Sequence, residues 1–563
     1  MRTEPGARTF RSDVPLRDYP ARVTDDLVRW AQATPGAIFV AERRAERWQT
    51  IDYATMLERV RRTAAALLAA GGSQERPLAI VAENGIEHAA VALAAMYAGI
   101  PASPISTGYL RGDADPARLR ALIDVLQPFA AFVPDAAMAA RFAAACPDVS
   151  VLADAAALDA DPSRADRAQA TIGPDTVAKI LFTSGSTGTP KGVMTTHRML
   201  CSNQTMLQQV WPDVAASPVL VDWAPWSHTA AGNKNFGLVL RNGGTFYVDE
   251  GKPAPGAFDA TLRNLCEIAP TFYFNVPRGW SLLFEALEHD AALATTFFSR
   301  IRILLNAGAS LPESLRGRLT VLANRYAGRE IPVVSAWGAT ETAPMATAVW
   351  GARPASAETI GTPVPGVEIK FAPVEDRYEL RVRGPNVTPG YWRDATATAA
   401  AFDDEGFFMS GDAGTLLDPD DPSRGIVFGG RLSENFKLSS GTWVNAGLLR
   451  LDILEAAEGA LDDVVFAGAD RDELTALVFV APALATGPTL AERLRAAFAR
   501  HNARNPASST RVARVAIAVD PPNAARGEIT DKGSVNQRRV LQNREDEVAR
   551  LYADPPDAGI IVP

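Results

Sequence analysis

The sequence predicts an α/β protein. Its large N-terminal domain is expected to hold layered mixed sheets with helices plus a β-rich subdomain, and a small α+β C-terminal domain follows. Three observations predict this. Up to about residue 360, short apolar runs of strand length alternate with longer helical patterns, the mark of α/β layers. Beyond that point the texture changes to short alternating strands separated by turns. From about Leu432 helices and strands mix over the last ~130 residues, a usual domain size. The length, 563 residues, exceeds what a single core normally sustains, so more than one domain is expected.

From Thr24 to Gly72 the pattern reads helix, short strand (Ala37 to Ala41), helix. Asp52 stands at the cap position of a helix whose apolar positions are Met56, Val60, Ala64 and Leu68. Pro77 to Val81 is a short buried strand, Ile86 to Ala98 a helix ending at Gly99, and Ala130 to Val133 a further strand. The Ala-rich stretch 136–170 reads as surface helices and loops. Val177 to Phe182, Val219 to Ala224, Gly244 to Val248, Phe272 to Val276, Ile301 to Leu305 and Val333 to Trp337 supply more strands. Val367 to Phe371 and Tyr378 to Val382 begin the β-rich part. The C-terminal region reads as a helix at Leu448 to Leu461, strands at Asp463 to Ala467 and Leu474 to Val480, a helix at Leu490 to Arg500 and a strand at Arg514 to Val519.

A net charge of -9 argues against a nucleic-acid surface, yet leaves room for a phosphate ligand in a locally positive site. Cys146, Cys201 and Cys266 are widely spaced without a metal-ligand pattern, which fits a reducing cytoplasm and no disulfide framework. The first twenty residues show no secretory apolar core, and no apolar run reaches membrane-spanning length. A cytoplasmic protein without a membrane partner is expected.

The stretch Leu181 to Gly192 carries the most chemistry. Thr183, Ser184, Ser186 and Thr187 supply hydroxyls, Gly185 and Gly188 let the backbone come close to an anion, and Lys191 supplies charge. Successive amides in such a loop make an anion-binding concavity, suited to a polyphosphate. The Pro190-Lys191-Gly192 exit departs from the common P-loop, which ends Gly-Lys-Ser/Thr. Taken alone, other residues admit two readings each. Glu341 suits Mg²⁺, which prefers carboxylate and phosphate oxygens, or the start of a helix. Asp412 suits paired hydroxyls or a turn. His228 reads as a ligand neighbour or as a satisfied buried histidine, and Lys532 as a catalytic or a solvated lysine.

Together these segments resemble the adenylate-forming superfamily of acyl-CoA synthetases, luciferases and adenylation domains, over nearly the whole chain. The hydroxyl-rich loop resembles that family's ATP phosphate loop. Asn306-Ala307-Gly308 is similar to its adenine-binding strand end, and Trp337-Gly338-Ala339-Thr340-Glu341 to its Tyr-Gly-x-Thr-Glu motif, with tryptophan in place of tyrosine. The resemblance implies that Thr340 touches phosphate, Glu341 helps hold Mg²⁺, and Asp412 and Arg431 reach the ribose. It implies a domain comprising 1–430, a hinge at 431–434 centred on Ser433, and a mobile domain comprising 435–563 that carries the catalytic Lys532. The first arginine after Lys532 is Arg538, six positions on, where relatives show one after three. Within the superfamily the likeness is to bacterial feruloyl-CoA synthetases, through residues 223–229, 436–444 and 528–537. It implies His228 as a gate beside the acid, and Lys437, Gly441 and Trp443 along a CoA channel.

The implied substrates are an aromatic carboxylic acid of hydroxycinnamate type, ATP and CoA, with Mg²⁺, in a monomer or homodimer. The alternatives are another aryl, benzoate or fatty acid, a carrier-protein thiol as acceptor, or a catalytically silent nucleotide-binding relative. Trp223, Trp226, Phe236, Phe272, Tyr273, Phe274, Trp280 and Trp337 are expected around the acid.

Overall fold

In a computed structural model of the chain, the residues described are 7–112, 114–154, 157, 159–184, 190–254, 256–306, 313–349, 359–457, 459–480, 490–523, 526–529, 535–557 and 559–563; the side chains at 184, 313, 314 and 451 are also outside the description. The fold is mixed α/β, and its contacts divide the chain into two compact units. The first comprises Met1–Phe371, Arg381–Ser410 and Leu416–Val427; the second comprises Ala372–Leu380, Gly411–Thr415 and Phe428–Pro563.

The first unit contains a six-stranded sheet in the order Ser150–Leu152, Ala130–Phe132, Leu78–Ile80, Ala102–Pro104, Val177–Ser184, Pro190–Thr196. Its neighbours are parallel except for the last two strands, an antiparallel hairpin. A second sheet runs Val219–Asp222, Thr245–Val248, Ile38–Arg44, Arg47–Asp52. Phe272–Asn275, Ile303–Asn306 and Val333–Val334 form a parallel third, joined to the second where the Thr271 amide donates to the Val219 carbonyl at 2.9 Å. Helix Ile86–Tyr97 is buried at every position but Glu87, as expected of a helix between layers and not one on a surface.

Several expectations need correction. The segment read as one strand, Ala37 to Ala41, followed directly by a helix, holds two strands. Ile38–Arg44 turns at Ala45 and Glu46, both at positive φ, into Arg47–Asp52. Neither residue is a glycine or asparagine, so the usual hairpin signal is absent. Asp52 does cap the next helix, accepting the Thr55 amide at 2.7 Å. That helix buries Met56, Val60, Ala64 and then Leu67 more fully than Leu68, because a 3.6-residue period drifts from a strict i+4 row. A short strand, Ser150–Leu152, lies within the stretch read as surface helices and loops. The expected helix to Leu461 is Ala446–Ala456, and Leu461 opens a strand. Gly459, at φ +79°, stands between the two. The β-rich texture after residue 360 is present as Glu368–Val374, Arg377–Arg383, Phe408–Leu416 and Ile426–Arg431.

The second unit holds a sheet of Leu461–Ala467, Leu474–Val480 and Val512–Ile517. Helices Ala446–Ala456 and Leu490–Arg504 cover one face through Leu449, Ile453, Leu494 and Phe498. Helices Gln537–Asn543 and Glu545–Leu551 cover the other through Val540 and Leu551.

Candidate functional site

In the first unit Thr183 and Lys191 stand near the ends of the antiparallel strands Val177–Ser184 and Pro190–Thr196. Thr183 pairs with Lys191 in register, and Ser184 with Pro190. Gly185, Ser186, Thr187 and Gly188 lie outside the described residues, as do Ala307, Gly308 and Lys532. The loop joins two strands, unlike a P-loop, which leads into a helix.

Lys191 Nζ lies 4.9 Å from the centroid of the Tyr391 ring, and the Tyr391 hydroxyl donates to Glu341 Oε1 at 3.0 Å. Backbone pairing holds this row together. Val193 bridges Tyr391, the Met194 amide donates to the Gly390 carbonyl at 3.1 Å, and the Thr388 amide to the Glu341 carbonyl at 2.8 Å. Burial pushes the Tyr391 phenol well above its usual pKa, with Glu341 adding to the rise, so the hydroxyl stays a donor. Thr340 is buried and opens a single 3₁₀ turn, Thr340–Thr342, in which Glu341 is the second residue. Asn386 clamps that turn, donating to the Thr342 and Met345 carbonyls at 2.9 Å each. A Cβ at Gly338 would lie 1.7 Å from the Pro344 carbonyl oxygen, so only glycine lets the two chains approach. Trp337 is buried beside it, paired with Thr347. Asn306 ends its strand in register with Asn275, both buried.

A divalent cation suits this place. Tyr391 orients one oxygen of the Glu341 carboxylate, and no group of three or more acidic, histidine or cysteine ligands is present among the described residues. Phosphate oxygens would have to complete the shell, as they commonly do for Mg²⁺.

His228 Nδ1 accepts the Ala230 amide at 3.2 Å, which puts the proton of the neutral ring on Nε2. The next residues, Ala230–Asn235, form a π-helix. The aromatic residues expected around the acid divide. Tyr273 and Trp280 pack with Phe297 in the core, so their role is packing. Trp226 meets His88, Phe236 and Phe246, whereas Phe272 and Phe274 face Lys234.

In the second unit, Arg431 Nε and Asp412 Oδ1 form an ion pair at 2.9 Å, so the two ribose candidates meet. The Gly411 carbonyl accepts the Leu432 amide at 2.8 Å. Lys437 pairs in register with Trp443 across a two-stranded hairpin, whose turn includes Gly441 at φ +81°. The Lys437 ammonium is engaged by Glu375 at 2.6 Å, and Trp443 Nε1 donates to Asp376 at 2.6 Å. A cavity of about 170 Å³ opens beside Trp443, Arg377, Thr415 and Asn445. Further along the second unit, Ile529 bridges Val535, and buried Glu528 pairs with Arg544 at 2.8 Å.

Sequence reasoning missed Tyr391, Asn386, Lys179 and Lys234. Tyr391 follows a glycine in a turn-rich segment, and no spacing ties it to residues 191 or 341.

The architecture is a layered α/β fold, and the comparisons give its family. The family model described as AMP-binding enzyme matches residues 27–392, and its AMP-binding enzyme C-terminal domain matches residues 435–555. The chain belongs to the AMP-binding enzyme family. Among characterised proteins it is similar to a feruloyl-CoA synthase of Amycolatopsis sp, 33% identical over 261 residues, covering 44% of this chain and 48% of that one. The chain spans about half the length of the curated relatives it matches. The A domain of a carboxylic acid reductase from Segniliparus rugosus, solved with AMP, shares the fold at a TM-score of 0.72 and 19% identity, covering 95% of this chain and 94% of the other. ATP-bound MatB from Rhodopseudomonas palustris does so at 0.70 and 22%, covering 94% and 99%. Among the described residues no helix is long and apolar enough to cross a membrane.

Proposed function

We propose that the protein is an ATP-dependent acid–thiol ligase converting a hydroxycinnamate-type aromatic acid to its CoA thioester. The observation that carries this reading is the row Thr183, Lys191, Tyr391, Glu341 at the mouth of the hydroxyl-rich hairpin. The likeness to feruloyl-CoA synthases supports the choice of acid.

In the first step a carboxylate oxygen of the acid bonds to the α-phosphorus of ATP and pyrophosphate leaves. In the second the thiol sulfur of CoA bonds to the acyl carbon and AMP leaves, the thiol proton passing to solvent. Both reactants of the first step are anions, so donors fixed where charge accumulates lower its barrier most. Lys191 and the loop amides would hold the leaving phosphates, and Thr340 the α-phosphate. Mg²⁺, when bound beside Glu341, would neutralise phosphate charge. Asp412 and Arg431 would take the ribose, His228 would stand beside the carboxylate, and Lys532 would bridge it to the α-phosphate. Lys437, Gly441 and Trp443 would serve CoA after the 435–563 domain turns about Ser433. Unpaired cysteines suit a cytoplasmic setting.

Pyrophosphate release with ferulate, caffeate, coumarate, benzoate and a fatty acid, each with and without CoA, tests the substrate. Lys532→Ala should slow adenylation by ~10²–10³-fold, the scale of a lost transition-state donor, and spare thioester formation from supplied acyl-AMP. An equal loss in both half-reactions would remove Lys532 from this role.

A further inference from the structure

Lys234 has no part in the chemistry above, yet it is 3% exposed. Its ammonium nitrogen has no hydrogen-bond partner among the described residues. It stands 4.4 Å from the centroid of Phe274 and 5.7 Å from that of Phe272. The carboxylate that acts on it electrostatically, Asp222, is already engaged. Its Oδ2 accepts Asn235 Nδ2 at 2.7 Å and its Oδ1 the Ala224 amide at 3.0 Å. Burial pushes the Lys234 ammonium down to about 7, with Asp222 opposing the fall. A lysine kept this way is costly unless something completes its shell.

The backbone that presents it is held on purpose. Within the π-helix, the Gly232 carbonyl accepts Lys179 Nζ at 2.7 Å. Gln204 Nε2 donates to the Asn233 and Lys234 carbonyls at 2.9 and 3.1 Å. Two buried polar side chains from other elements therefore satisfy carbonyls around the bulge, and π-bulges concentrate at functional sites. Phe274 precedes Asn275, the register partner of Asn306, and Asp222 ends its own parallel strand. Lys234 thus stands at the carboxyl ends of the parallel strands, where open α/β sheets bind ligands. Trp223 Nε1 and Trp226 Nε1, on the segment leading in, are likewise buried without a partner among the described residues. A ligand oxygen would satisfy donors of this kind.

We infer that Lys234 is a specificity-determining residue of the acid pocket, its ammonium donating to an oxygen substituent on the ring of the aromatic acid. This rests on the ligase reading. Two phenyl faces form its wall, which suits a ring better than a carboxylate. Lys234 lies six residues beyond His228 on the same segment.

The test compares kcat/KM in ATP–pyrophosphate exchange for ferulate and for unsubstituted cinnamate. Wild type should prefer ferulate, and Lys234→Met should lower the ferulate-to-cinnamate ratio on the order of 100-fold, the scale of one lost hydrogen bond to a charged group. The loss should fall mainly on KM, with Lys234→Gln intermediate. An unchanged ratio, or a wild type without preference, overturns the inference. If Lys234→Met does not fold, Lys234→Gln decides by the same ratio. Should no acid drive exchange, the ligase reading fails separately, and calorimetric titration of both acids without nucleotide decides this one. A preference for ferulate lost in the variant upholds it, and equal binding overturns it.

Discussion

Tyr391 joins two residues whose chemistry is visible in the chain, Lys191 and Glu341, through a ring contact and one hydroxyl bond. A hydrogen bond to a charged group contributes about 1.5–3 kcal/mol, so Tyr391→Phe should raise the Mg²⁺ concentration for half-maximal pyrophosphate release ~10-fold. An unchanged Mg²⁺ titration would show that Glu341 needs no such support. His88 supports a second prediction. Burial depresses its pKa to about 4 from 6.5, the Glu83 carbonyl only partly opposing. Because the folded value lies below the unfolded one, its contribution to stability is whole above pH 6.5 and is lost as pH falls toward 4. At 1.36 kcal/mol per unit the loss is about 3 kcal/mol. Asp26 and Asp222, lifted by burial to about 6, act with the opposite sign but are common to both proteins compared. The thermal midpoint of His88→Gln should therefore drop less between pH 7 and 4 than that of wild type; equal drops would refute the assignment. Thr183, Lys191 and Glu341 were legible because hydroxyls, glycines and charge crowd into short motifs. Tyr391 was not, because its partners are 50 and 200 positions away.

At the scale of elements, the π-helix Ala230–Asn235 is the feature with the sharpest steric requirement. A Cβ at Gly232 would lie 2.1 Å from the Trp226 carbonyl oxygen, with no flexible side chain to yield. Gly232→Ala should destabilise the fold by about 1–3 kcal/mol, the usual cost of overpacking, read as a lower urea midpoint. An undiminished midpoint would mean the turn opens freely. Most strands of the first unit were readable as apolar runs bounded by turn residues. Arg47–Asp52 escaped because its turn has neither glycine nor asparagine, and the π-helix because i→i+5 bonding has no compositional signal. Its bulge depends on Lys179 and Gln204, which come from other elements.

For the whole molecule, the proposed turn about Ser433 predicts a selective defect. Ser433→Pro fixes φ near -65° and should leave pyrophosphate release from acid and ATP within about threefold of wild type while slowing thioester formation ~10²-fold or more, a barrier increase of about 2.7 kcal/mol. Stopped-flow measurement of the two half-reactions checks it; parallel losses would remove the hinge.

By itself, the sequence determined most of the succession of strands and helices and the oxygen- and cation-rich composition of the 183–191 stretch, because periodicity and local chemistry act between near neighbours. Only the tertiary structure decided that Tyr391 orients Glu341, that Asp412 meets Arg431, and that one lysine is withdrawn from water between two phenyl rings. Those outcomes depend on burial and on partners brought together from distant parts of the chain, which no local pattern encodes.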